Sequence, residues 1–80
     1  MKDNKEFPRF WYDSNLVFMW VNNLEELQFV FDQYEGYMTK DDLLDKSRNV
    51  DGNLSNFGLY QEHKGDVTLR QFLTDNGVKF

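Results

Sequence analysis

The chain has no cysteine, no alanine and no isoleucine, and only one proline and one histidine in 80 residues. Each shortage closes a route. Without cysteine there is no disulfide and no thiolate zinc site. The sole histidine, His63, cannot build a metal site alone. Without Ala and Ile, the core falls to Leu, Val and Phe. There is no long apolar run either. The longest, Leu16 to Val21, falls far short of the ~20 residues that span a bilayer. The N-terminal MKDNKEFPRF is polar and charged, without the apolar stretch of a signal peptide. The expectation is a cytoplasmic protein without membrane association.

A chain of this length forms one domain and buries only about 60–65% of its unfolded surface. With disulfides and metal excluded, dense packing must stabilise it. The aromatic content, 18%, supplies that material. Residues 7–21, FPRFWYDSNLVFMWV, contain Phe7, Phe10, Trp11, Tyr12, Phe18 and Trp20. Stacking on single-stranded nucleic acid would need these rings in a positive groove. The nearby cations Lys2, Lys5 and Arg9 are matched by Asp3, Glu6 and Asp13, so direct nucleic-acid binding is not expected. The rings read instead as core.

The pattern predicts an α+β fold, a small single domain over 7–80 preceded by a flexible tail over 1–6. Its antiparallel sheet is built on an N-terminal hairpin, with two to three short helices packed against it. Residues 9–13 and 16–21 are the hairpin strands, joined by the turn formers Asp13, Ser14 and Asn15. Both faces of the second strand are apolar, which reads as a central or doubly covered strand. Phe10 and Tyr12 are assigned to one face of the hairpin. Trp11 is assigned to the other with Val17, Met19 and Val21, and that second face needs covering from within or by a second copy.

Asn23 followed by Glu26 is a capping signal. It opens a helix over 24–35 with Leu24, Leu27, Val30, Phe31 and Tyr34 on its apolar stripe and Gly36 as its stop. Thr39 with Asp42 opens a second helix over 40–46. Thr68 with Gln71 opens a third over 69–75, ended by Asn76-Gly77. Residues 47–58 read as a loop or an irregular hairpin, 59–63 as a strand, 64–66 as a turn and 78–80 as a last edge strand.

Three chemistries can be weighed. Ser47 to Ser55 resembles a calcium loop in spacing, with Asn49, Asp51, Gly52 and Ser55 in register. Its first position is Ser, however, and its twelfth is Gly58, so the two strongest anionic ligands are missing. His63 with Glu62 and Asp66 is the one catalytic possibility, and it sits beside a Lys-Gly turn where an exposed histidine is ordinary. No catalytic residue, metal or cofactor is therefore assigned.

Charge is more informative. The net charge is -5, and residues 1–24 and 52–80 each balance, so the excess lies within 25–51. There Glu25, Glu26, Asp32, Glu35, Asp41, Asp42 and Asp45 follow one another along two helices. Phe29 sits among them, off the apolar stripe, as an aromatic inside an acidic face. The alternative for Phe29 is packing against the N-terminal segment or the 47–58 loop. This set of eight residues is the candidate partner-binding site. The expected function is a non-enzymatic protein-binding module that engages a basic surface, as an inhibitor or nucleic-acid mimic of the regulatory or phage-like kind. The alternative is an assembly subunit that forms a homodimer through the second hairpin face.

Overall fold

The computed structural model describes residues 7–49, 56–59 and 67–79. These residues form an α+β domain, with a three-stranded antiparallel sheet and three helices among them. Strands β1 (Phe10–Asp13) and β2 (Phe18–Val21) form the hairpin, and β3 (Asn56–Leu59) pairs with the other edge of β1. The order is β2-β1-β3. The first strand is therefore central, and β2, expected to be central or covered on both faces, lies at an edge with Phe18 and Trp20 exposed. No helix among the described residues is long and apolar enough to cross a membrane.

The hairpin loop decides which rings are buried. Ser14 to Val17 form a four-residue connection. The Ser14 hydroxyl accepts from the amides of Leu16 and Val17 at 3.1 Å, and the Ser14 amide donates to the Val17 carbonyl at 2.8 Å. Asp13 then pairs with Phe18, Tyr12 with Met19, Trp11 with Trp20 and Phe10 with Val21. Directly opposed residues point to the same face. The expected grouping of Trp11 with Val17, Met19 and Val21 is thus overturned: one residue of loop length exchanges the faces. Phe10, Tyr12, Val17 and Val21 are buried, while Trp11, Phe18 and Trp20 lie on the outer face, 36%, 68% and 39% exposed.

The core lies between the inner sheet face and the helices. Phe10, Phe57 and Phe72 form a triad with ring centroids 5.5–5.8 Å apart. Burying a Phe contributes roughly 1.5–3 kcal/mol. Three of them are substantial beside a net stability of about 5–15 kcal/mol. The Tyr12 and Ser47 hydroxyls share a buried 2.6 Å hydrogen bond that ties β1 to the end of α2.

Capping residues set the helices. In α1 (Leu24–Gln33), the Asn23 side chain accepts from the Glu26 amide at 2.9 Å. Gly36, at φ +92°, reverses the chain, and the Tyr37 and Met38 amides donate to the Tyr34 carbonyl. The helix stops two residues before the expected 35 because its last turn tightens: Tyr34 and Glu35 donate three residues back. Leu24, expected on the buried stripe, is 50% exposed at the first turn.

Helices α2 (Lys40–Lys46) and α3 (Leu69–Asp75) begin with Thr39 and Thr68, whose hydroxyls accept from the Asp42 and Gln71 amides at 3.1 Å. At the end of α3 the Gly77 amide donates to Thr74 and the Val78 amide to Leu73. That is a Schellman closure. Val78 belongs to this closure, and neither Val78 nor Lys79 is in the expected edge strand, whose last residue, Phe80, lies outside the described residues.

The segment 47–58, expected to be a loop or an irregular hairpin, contributes the first three residues of β3, Asn56 to Gly58. Asn56 and Gly58 read as turn formers, but Phe57 is buried and Gly58 lies beneath the Trp11 indole. The expected strand 59–63, turn 64–66, His63 and positions 50–55 of the calcium-like loop fall outside the described residues, apart from Leu59 in β3. At the loop's start, Ser47 is buried on Tyr12, and the Asn49 side-chain oxygen accepts from the Val67 amide at 3.1 Å. Both candidate ligand oxygens are engaged in holding the fold.

Candidate partner-binding groove

The acidic residues fall into three groups. Glu26 caps: its carboxylate accepts from the Asn22 backbone amide at 2.8 Å and the Asn22 side-chain amide at 2.9 Å. Glu25 beside it is exposed in the first turn, where the helix dipole favours a carboxylate.

Asp41 and Asp45 face Arg70 of α3. The guanidinium donates to Asp45 Oδ1 at 2.7 Å and Oδ2 at 3.3 Å, and to Asp41 Oδ1 at 3.1 Å. This clasp spans the α2–α3 contact. The hydrogen bond from Arg70 holds the Asp45 carboxyl below its ordinary value, and the bonds from Asp45 and Asp41 raise Arg70. All three groups face solvent, so the clasp acts mainly to orient the two helices.

Asp32, Glu35 and Asp42 form the third group. They line an open groove of about 640 Å³ where α1 ends and α2 begins. Gly36 creates it by turning the chain sharply between the helices. Phe31 and Tyr37 supply aromatic walls, and Tyr37 is 70% exposed. Gln28 donates to Asp32 at 3.0 Å, which fixes that carboxylate. The cation in the lining is Lys40, whose Nζ lies 5.7 Å from the centroid of the Phe31 ring. Among the described residues of the lining, three carboxylates against one ammonium leave a charge of -2.

Of the eight predicted site residues, the structure brings these three together and commits Glu26, Asp41 and Asp45 to internal bonds. Glu25 lies away from the groove. Phe29 is on the outer surface of α1, 48% exposed, and does not line the groove. Phe31, Tyr37 and Lys40 are groove residues that sequence reasoning did not select. Phe31 had been assigned to the core, where most of its surface is indeed buried. An aromatic directly after a helix-stopping glycine was the available signal for Tyr37.

The arrangement suits a cation. Carboxylates on fixed elements beside a ring face are the partners that a guanidinium or ammonium takes. Compared with known protein families, curated proteins and solved structures, the chain matches none.

Proposed function

We propose that the protein is a non-enzymatic binding module whose α1–α2 groove receives a basic segment of a partner protein. One observation carries this: Asp32, Glu35 and Asp42 converge beside Phe31 and Tyr37 on an open groove. An arginine or lysine entering it would meet carboxylates and a ring at once. Lys40 over Phe31 is the internal example of that pairing.

The internal commitments narrow the role. A long imitation of phosphate spacing would draw on the whole acidic row, but Glu26, Asp41 and Asp45 are already bonded within the chain. The groove supports recognition of one or two basic side chains in preference to a charge ladder. Blocking the basic site of a nucleic-acid-binding protein is one use of such recognition.

The test is affinity capture from the native cell extract at low and high salt. The bait is the intact protein beside a D32N/E35Q/D42N variant. A partner held at low salt, released at high salt and lost from the variant supports the reading. A partner captured equally by both baits contradicts it.

A further inference from the structure

We propose that the outer face of the sheet is a self-association surface, on which a second copy of this chain packs about a two-fold axis perpendicular to β1. This face is the layer opposite the helices, so the proposal stands apart from the groove. Trp11, Phe18 and Trp20 are its exposed rings.

The face is assembled in advance. Trp11 lies across Gly58, where a Cβ would fall inside the indole. It meets Trp20 edge-on, with centroids 5.8 Å apart and planes at 68°. The Arg9 guanidinium sits 3.9 Å from the centroid of the Trp20 ring. Two tryptophans and an arginine held in place are the residue types that carry binding energy at interfaces. At about 150–250 Å² per aromatic side chain, the three exposures amount to roughly 300 Å² of apolar surface. A patch of this size is at the scale of functional surfaces on monomers. Two such faces bring together roughly 600 Å² of apolar surface, to which the polar rim adds, the scale of a weak or transient interface. The area fits a weak, concentration-dependent dimer.

Charge selects the occupant and its orientation. Residues 9, 11 and 13 alternate onto the outer face, so the row reads Arg9, Trp11, Asp13: positive, aromatic, negative. Four residues of extended chain span about 13 Å, so Arg9 and Asp13 stand at opposite ends of the row. A two-fold axis over Trp11 and across the strand lays Arg9 of each copy on Asp13 of the other, twice over. An axis along the strand would oppose like charges. This self-complementarity is what an isologous interface requires. The five donors of a guanidinium can serve Asp13 of the second copy alongside other acceptors.

Sedimentation equilibrium of the intact protein at low salt, over a wide concentration range, tests this. The wild type should rise from the mass of one chain towards two. Phe18→Ser should keep the fold, by circular dichroism, and lose the association. Arg9→Glu and Asp13→Arg should each weaken it on the order of tenfold, because each turns two attractive contacts repulsive. Arg9→Glu combined with Asp13→Arg should restore it, since the exchanged charges still pair across the axis. A wild type that stays monomeric throughout would overturn the proposal and leave the face to a partner of another kind. Association that Phe18→Ser does not affect, or a double variant no better than either single one, would overturn it as well.

Discussion

The Tyr12 hydroxyl lies 2.6 Å from that of Ser47, thirty-five positions along the chain, with both residues fully buried. This bond links the central strand to the end of α2. Tyr12→Phe keeps the ring but removes its hydroxyl, leaving the Ser47 hydroxyl in place. A hydrogen bond of this kind contributes roughly 0.5–1.5 kcal/mol net. Urea unfolding of Tyr12→Phe should show a loss in that range with an unchanged m-value. Stability equal to the wild type would show that the bond contributes nothing.

Gly58 gives a second prediction. Its missing side chain is the seat of the Trp11 indole. Gly58→Val should evict the ring, red-shift tryptophan emission and reduce the near-ultraviolet dichroism of the Trp11–Trp20 pair. Because Trp11 is backbone-paired with Gly58 in the sheet, thermal stability should fall as well. Unchanged spectra would mean that the ring does not rest on β3.

The Asp45–Arg70 bond predicts a pH effect. Arg70 lowers the Asp45 carboxyl in the folded state. A depressed folded value means a contribution present above the unfolded value, about 4, and lost as pH falls through the folded one. The melting temperature of wild type minus that of Asp45→Asn should therefore be positive near neutrality and shrink as pH drops below about 4. High salt should reduce the same difference, since the groups are exposed. A difference that persists at low pH would assign the effect to something other than this carboxylate.

What the sequence made legible follows from range. The helices begin at Asn23, Thr39 and Thr68 because each side chain bonds an amide three residues on. Such signals sit within one turn and can be read directly. The register of the hairpin could not be read that way, because it depends on whether Ser14 opens a three- or four-residue loop, and that parity moves Val17 and Met19 to the opposite face from Trp11. Strand β3 was hidden for a related reason. Asn56-Phe57-Gly58 has turn composition, and only the pairing of Phe57 with Tyr12 and Gly58 with Trp11 makes it a strand. The acidic stretch was visible as charge. Its division into cap, clasp and groove rested on Arg70, twenty-five positions beyond Asp45, and on the turn at Gly36.

The central claim is that the α1–α2 groove takes a basic side chain. The most direct measurement is an NMR titration of the isotope-labelled protein with a short arginine–glycine peptide at low salt. An arginine-to-glutamine peptide serves as control. The account predicts saturable shifts at backbone amides of residues 31–42 with the arginine peptide. Those shifts should fall at least about tenfold in affinity for the D32N/E35Q/D42N variant, as expected when charge-assisted contacts are lost. Shifts centred on the Arg70 clasp or the sheet face, or equal shifts with the glutamine peptide, would contradict it.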